Sequence, residues 1–449
     1  MKAPLDIEWI LAQFPALTQK INNQPVIFFD GPGGTQVPGS VIDAIADYLV
    51  RSNANAHGPF ATSARTDALI DSARTAAADF LGCHASEVVF GANMTTLTYA
   101  FSRAIGREIQ PGDEIIVTRL DHDANVSPWS ALAERGATIR FVDINVEDCT
   151  LNWSDLEQQI SDRTRLVAVG YASNTVGTIN DIAAIARLAH SVGALVFVDA
   201  VHYAPHAPID VRSLDCDFLV CSAYKFFGPH VGILYGKHEH LARLQPYKVR
   251  PASDETPSRW ETGTLNHEGL AGMVAAINYL AKLGCHVSPS VESQLLSSLL
   301  EADTGRWETF RCPPRHATSS SYPNRRAALV TAMTAIQQYE AELSKQLICG
   351  LLEIGGLTLY GITDPARFAW RTPTVAFRLE GQSPQMVAKN LSDRGIFTWY
   401  GNFYAINLTE KLGVETSGGL LRVGLVHYNT VAEIQRLLEV LNEIAMLSK

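Results

Sequence analysis

The chain has 449 residues, 47% of them hydrophobic and 18% charged, with a net charge of −10 and a pI of about 5.7. That length suits two or three domains, the acidic balance argues against a nucleic-acid binder, and no uninterrupted apolar run reaches membrane-spanning length. Seven scattered cysteines without a C-x-x-C pair fit neither a disulfide framework nor a metal site, and the N-terminus lacks a signal peptide's apolar core, so a reducing cytoplasm is the expected address.

In chain order, residues 1–25 read as a short amphipathic helix and a loop, an N-terminal arm expected to pack with a C-terminal small domain. A short strand at 26–30 runs into Gly31-Pro-Gly-Gly-Thr35, which lacks P-loop spacing and reads as a turn. A helix follows at 38–49. The polar loop at 53–59 holds His57, either a site residue or an ordinary surface histidine. A helix at 67–81 and a strand at 87–90 lead to Gly91-Ala-Asn-Met94-Thr95-Thr96 at a helix start. Met94 and Thr95 there could bind an anion through free N–H groups and the helix dipole; alternatively Thr95 or Thr96 is simply an N-cap.

Strands and helices then alternate. Strands are expected at 114–117, 138–142, 166–169 and 195–199, and helices at 127–135, 154–160 and 182–192. Residues 218–235 read as strand, Ser222-Ala-Tyr224-Lys225 turn, Gly-Pro bend and strand. The rhythm predicts a mainly parallel sheet covered on both faces, with ligands beyond the strand carboxyl ends. Thr95, His122 with Asp123, Asn174, Asp199 with His202, and Ser222 with Lys225 all fall at such ends. Beyond an irregular stretch at 250–260 come Glu261-Thr-Gly-Thr264 and a helix at 270–283. Residues 286–325, rich in Ser, Pro and Arg, read as a linker or insertion. A long helix at 326–353, strands at 357–360, 374–379 and 420–426, and helices at 385–394 and 431–447 form a smaller α+β domain. The expected division is an arm (1–25), a large domain (26–285), the linker (286–325) and a small domain (326–449).

A lysine at 225, flanked by apolar strands, either snorkels to solvent or is held buried and shifted toward neutrality. In the second case it could form a Schiff base with an aldehyde cofactor. Pyridoxal 5'-phosphate also needs a carboxylate at its ring nitrogen, donors for its phosphate and one donor for its phenolate oxygen. Asp199 meets the first need; Thr95, Ser222 and the helix start at 91–96 meet the second, and Asn174 the third. An amino-acid substrate would bring a carboxylate that suits a forked guanidinium. Arg422 is the candidate, unless it is an edge-strand residue facing water.

The stretches Phe29-Asp-Gly-Pro-Gly-Gly-Thr-Gln-Val-Pro38, Ser173-Asn-Thr-Val-Gly-Thr178, Val198-Asp-Ala-Val-His202, Ser222-Ala-Tyr-Lys-Phe-Phe-Gly-Pro229, Glu261-Thr-Gly-Thr264, and Arg422 followed by His427-Tyr-Asn-Thr430 resemble class V aminotransferase-fold enzymes. The similarity is greatest to the cysteine desulfurase and selenocysteine lyase group, over nearly the whole chain. It implies pyridoxal-phosphate fold type I: an α/β large domain with a mainly parallel sheet of seven-stranded type, and a small α+β domain. It further implies that Lys225 carries the Schiff base, that Asp199 pairs with the ring nitrogen, and that His202 lies near the phenolate edge. Asn174 would reach the phenolate oxygen and the substrate. Thr95, Ser222 and Tyr224 would hold the phosphate, Tyr224 replacing the family's usual histidine, and Arg422 would clamp the substrate carboxylate. Thr264 would reach the neighbouring subunit's phosphate, making the unit a homodimer.

Two departures stand out. The family's desulfurases carry their nucleophilic cysteine in a small-domain loop that here reads Gly401-Asn-Phe-Tyr404-Ala405, with tyrosine in the cysteine's place. A phenol cannot carry a persulfide. The family loop with two histidines reads Asp121-His122-Asp123-Ala-Asn125, so Asp123 falls where the ring-stacking imidazole is expected, unless the register shifts and His122 stacks. The resulting expectation is carbanion or enamine chemistry at Cα or Cβ of an amino acid, lyase-like or substituting, with Lys225, Asp199, Asp123 and His122 catalytic. Arg422, Asn174, His57 and Tyr404 would contact the substrate. An aminotransferase or epimerase is the alternative, and a degenerate scaffold subunit the non-enzyme one. A nicotinamide dehydrogenase is disfavoured because the first strand–turn–helix lacks G-x-G-x-x-G.

Overall fold

The computed structural model describes residues 5–288 and 323–446. Among these, the largest sheet has seven strands: β1 (Val88–Gly91), β2 (Glu114–Thr118), β3 (Thr138–Val142), β4 (Thr164–Gly170), β5 (Leu195–Asp199), β6 (Phe218–Ser222) and β7 (Gly232–Gly236). Their order across the sheet is β1-β7-β6-β5-β4-β2-β3. Pairings are parallel except that β7 runs antiparallel to both β6 and β1. Two reversals leave β1 parallel to β6, so β1, β2, β4, β5 and β6 all end at one edge.

The apolar strands are buried on both faces, as parallel sheets require. Phe218 and Val220 join one core cluster with Phe101 and Trp129, whereas Leu219 and Cys221 join another with Phe226 and Ile277. Helix His267–Val287 has the length and apolar content to cross a membrane, but 61% of its apolar stretch is buried inside the fold. It packs against helices Gly39–Arg51, Ala61–Leu81 and Pro323–Leu352.

A second sheet contains β8 (Leu357–Tyr360), β9 (Thr374–Leu379), β10 (Trp399–Gly401) and β11 (Leu420–Gly424), antiparallel in the order β8-β9-β11-β10.

Several elements differ from expectation. The strand expected at the start of the large domain, Ile27–Phe28, pairs in parallel with Ile396–Phe397, and Ile27 and Phe29 join the core of the second sheet. The N-terminal arm, expected against the small domain, meets both domains: Asn22 donates to the Asp393 carbonyl (3.4 Å), Arg436 donates to the Pro25 carbonyl (2.9 Å), and Ile10 and Phe14 are buried in the large core. There Trp9 stacks on Tyr279 and Phe14 meets Phe227, Tyr279 and Tyr428 edge-on. The helix expected at 127–135 is one turn, Ser127–Ser130, continued as a 3-10 turn that Gly136 closes in the left-handed conformation. Of the expected linker at 286–325, residues 289–322 lie outside the described residues.

Candidate active site

A cavity of about 450 Å³ lies between the strand ends of the large sheet and the loop after β10. Its wall includes Met94, Thr95, His122, Asn174, Asp199, His202, Ser222, Tyr224, Lys225, Tyr404 and Arg422. The topology thus gathers side chains from five strand ends and from the small domain.

Lys225 ends a 3-10 turn immediately after β6. Its amine donates to the carbonyl oxygen of Pro32. Burial, reinforced by the charge of Arg422 and opposed by Asp199 and Asp30, draws it down to about 7. It is therefore no snorkelling surface charge. Asp199 is the last residue of β5; its Oδ1 accepts the Val201 N–H at 2.9 Å, and burial raises the carboxyl to about 7. An amine and a carboxyl, both held near neutrality in one cavity, are poised to exchange a proton with a ligand.

The N-cap of helix Met94–Ile105 is neither Thr95 nor Thr96, though Thr96 Oγ1 accepts the Asn93 N–H (3.3 Å) to complete a capping box. Asn93 is the N-cap, accepting the Thr96 N–H at 2.9 Å. Thr95 is exposed at the cavity wall. The Met94 N–H donates to Ser222 Oγ at 3.0 Å, which ties the helix start to the end of β6. Gly232 permits this close approach, since a Cβ there would lie 2.5 Å from the Asn93 backbone.

The loop after β2 decides the His122/Asp123 question. His122 caps the turn Asp123–Asn125 by accepting the Ala124 N–H at Nδ1 (3.0 Å), so its ring folds into the cavity and stacks on Tyr404 with centroids 5.3 Å apart. Burial holds its pKa down to about 4. Asp123, expected over the cofactor ring, is not part of the cavity wall. Its Oδ2 accepts from Ser127 Oγ (2.7 Å) one helical turn on, and its N–H holds the Tyr404 carbonyl (2.7 Å). Of the two, His122 is the one that lines the cavity.

Arg422 lies in β11, between β9 and β10 rather than at an edge, and is buried. It donates to the Asn174 carbonyl (2.8 Å), its guanidinium lies 4.1 Å from the Phe403 ring centroid, and burial lowers its pKa to about 9. Asn174 donates from Nδ2 to the Phe403 carbonyl (2.8 Å). Asn174 Oδ1 and Arg422 Nε are buried without partners, and such orphans suit a polar ligand. His202 approaches Thr372 Oγ1 through Nε2 (3.2 Å), and burial keeps it neutral. Tyr224 stacks on His230 with centroids 4.8 Å apart.

Two expected residues lie outside this cavity. His57 sits on an exposed loop at φ 66 and pairs with Asp67 at 2.9 Å, because that acid on the following helix is its nearest counter-charge. Thr264 is exposed and does not line this chain's cavity. Sequence reasoning also missed several residues. The Gly31-Pro-Gly turn, read only as a turn, supplies the Lys225 acceptor, and Asp30 beside it is pushed up to about 6 by burial. Asp121, fully buried, accepts from Thr118, Asn125 and the Gly170 N–H and fixes the loop that carries His122. An acid at a strand end was the available signal for both aspartates.

These features fit pyridoxal 5'-phosphate: a near-neutral amine, a buried carboxyl, a helix start and unpartnered polar groups around one cavity. Among the described residues, no cysteine lines it.

The sequence pattern of the family described as Aminotransferase class-V matches residues 27–315 and 327–437. The chain is 33% identical to "Aminotransferase-like protein FGM3" of Gibberella zeae and 31% identical to a cysteine desulfurase of Pectobacterium atrosepticum, covering 98% of each chain in both cases. A solved apo cysteine desulfurase from Thermococcus onnurineus superposes with a TM-score of 0.81 at 25% identity, over 99% of both chains. The cysteine desulfurase CsdA of Escherichia coli gives 0.78 at 25% identity, over 98% of this chain and 99% of that one. The chain belongs to the aminotransferase class-V family and is a pyridoxal 5'-phosphate-dependent enzyme of fold type I.

Proposed function

We propose that this enzyme acts on an amino acid by breaking or making bonds at Cα and Cβ, as a lyase or substituting transferase, and is not a persulfide-forming cysteine desulfurase. The observation that carries this reading is the loop after β10. It presents Tyr404 to the cavity, stacked on His122, and no cysteine among the described residues lines that cavity. A phenol has no redox-active sulfur to accept a sulfane atom.

When bound, pyridoxal 5'-phosphate supplies an electron sink that makes bonds at an amino acid's Cα or Cβ labile. Lys225 is the amine that would hold its aldehyde. Once free, with a pKa near 7, it can take or return a proton at Cα. Asp199 would keep a proton at the ring nitrogen. Thr95, Ser222 and the start of helix Met94–Ile105 would be the phosphate donors. His122 would cover the ring face, and its low pKa would keep it neutral there. Arg422 receives the substrate carboxylate through a fork that Phe403 and the Asn174 carbonyl hold in place. Trp399, Tyr400 and Tyr404 wall the outer cavity and exclude water.

The test is an amino-acid screen of the loaded enzyme for ammonia, keto acid and deuterium uptake at Cα, run beside a sulfide assay with cysteine. Ammonia and keto acid released without an amino acceptor are expected. Cysteine turnover that leaves sulfane sulfur on the protein would overturn the reading. Transamination is a second reading, favoured by the name of the fungal relative; it predicts keto acid only when an acceptor is supplied.

The functional unit in this reading is a homodimer. Thr264, exposed and away from its own chain's cavity, would serve the neighbour's phosphate. Five free cysteines among the described residues, Cys83, Cys149, Cys216, Cys221 and Cys349, support a reducing, cytoplasmic setting.

A further inference from the structure

Beneath the cavity floor lies a second polar array. His202 Nε2 approaches Thr372 Oγ1, and that hydroxyl donates its one proton to the Gly177 carbonyl (3.3 Å). His202 therefore donates through Nε2 and carries its bare lone pair at Nδ1. Four residues on, His206 meets it edge to face, ring centroids 5.3 Å apart and planes at 71°. His206 Nδ1 lies 2.8 Å from Glu340 Oε2 on helix Pro323–Leu352, with side chains only 5% and 1% exposed. The other carboxyl oxygen, Oε1, is buried without a partner. Both residues border a separate cavity of about 200 Å³, with Tyr203, Gln337 and Arg371 in its wall.

We propose that Glu340 and His206 form a buried proton-exchanging pair, served through this side cavity, that sets the charge felt by His202 at the edge of the reaction cavity. Both are positioning residues acting through His202. Burial, opposed by His206, lifts Glu340 to about 7. As pH rises through that value, one carboxyl O–H bond breaks, the proton leaves to water in the side cavity, and the pair gains one negative charge. That charge makes Nδ1 of His202, an imidazole that burial keeps neutral, a stronger acceptor. Arg422 and Lys225 oppose it from the reaction cavity, and Arg371 from the side cavity. His427, which feels the charge of His206 and whose Nε2 is engaged by the Tyr279 hydroxyl at 2.6 Å, is held neutral by burial. Tyr339 and Tyr428, which also face Glu340, are phenols whose pKa burial raises, so they add no charge.

The consequence for catalysis rests on the reading that the larger cavity is the reaction site; the pair itself is tested without it. In cofactor-free protein with ¹⁵N-labelled histidine, the His202 imidazole signals are expected to show a step with midpoint near 7 as Glu340 ionises. Glu340→Gln keeps the hydrogen bond and the volume but cannot ionise, and should remove that step. A Lys225→Met, Asp199→Asn background removes the other nearby titrations close to pH 7 from the record. A step unchanged in Glu340→Gln, or flat imidazole signals through neutral pH, would overturn the proposal. Should Glu340→Gln not fold, His206→Gln takes its place, and the His202 step is expected to move to higher pH, because His206 holds the carboxyl down. In loaded enzyme, Glu340→Gln should change kcat about tenfold above neutral pH, the effect of roughly one pKa unit, with KM nearly unchanged. If the imidazole step behaves as expected while no amino acid turns over, the proposed function fails and the pair stands.

Discussion

The floor and the roof of the cavity are built differently. The floor is the carboxyl edge of the large sheet, where Lys225, Asp199, Ser222 and Asn174 are held by adjoining, mostly buried strands. The roof is the loop after β10, where Phe403 and Tyr404 both adopt left-handed conformations, φ 55 and 59, and Tyr404 is 73% exposed. Such non-glycine conformations cost on the order of 1–3 kcal/mol each. Contacts from below offset that cost: Asn174 Nδ2 to the Phe403 carbonyl, the Asp123 N–H to the Tyr404 carbonyl, and Arg422 against the Phe403 ring. The floor suits one cofactor, and its features are those the family shares. In the proposed reading the roof touches the substrate, and it carries Tyr404 where the desulfurase resemblance implies a cysteine. Similarity across the whole chain therefore identifies the cofactor more securely than the reaction.

The sharpest way to break this contrast is at the floor. Lys225→Ala should bind no cofactor covalently and lose about 10²–10⁴-fold or more in turnover, read by visible absorbance and rate. Arg422→Lys keeps a charge but loses the fork. It should raise KM by roughly 10–100-fold, the worth of one or two charge-assisted hydrogen bonds, with smaller loss in kcat. Loading should depend on pH with the sign set by Lys225. Only the neutral amine attacks an aldehyde, so the loading rate should fall as pH drops below about 7 and level off above it. A rate flat from acid to alkaline pH would mean that burial does not lower this lysine.

The roof gives smaller effects. His122→Ala removes the ring cover and the partner of Tyr404, and should cost about tenfold in kcat/KM. Asp123→Asn should change kcat/KM less than about threefold and cost about 0.5–1.5 kcal/mol of stability, read by denaturation, because its carboxylate serves Ser127 and not the cavity. A large kinetic loss in Asp123→Asn would reverse the assignment of these neighbours.

Lys225 and Asp199 were legible because a charge at the end of an apolar strand has few uses, and strand ends share an edge by topology. The choice between His122 and Asp123 was not. It depends on which residue caps a three-residue turn, and a shift of one position moves a side chain to another face. His57 and Thr264 read as site residues by loop composition and family likeness, yet each points away from its own chain's cavity. Asp30 and the Pro32 carbonyl were missed because their role is made by a contact with a turn far along the chain. The pairing of Ile27–Phe28 with Ile396–Phe397 likewise has no local signal, since two-residue strands carry no periodicity.

That pairing has a consequence for how the protein is made. A strand near the beginning of the chain finds its partner near the end, so a nascent chain must hold Ile27 and Phe29 without their final neighbours until most of the polypeptide has left the ribosome. Closing so long a loop is slow. The small domain cannot be completed by any fragment that begins after residue 30, and the large core waits as well, since it takes in Leu329, Met333 and Tyr428.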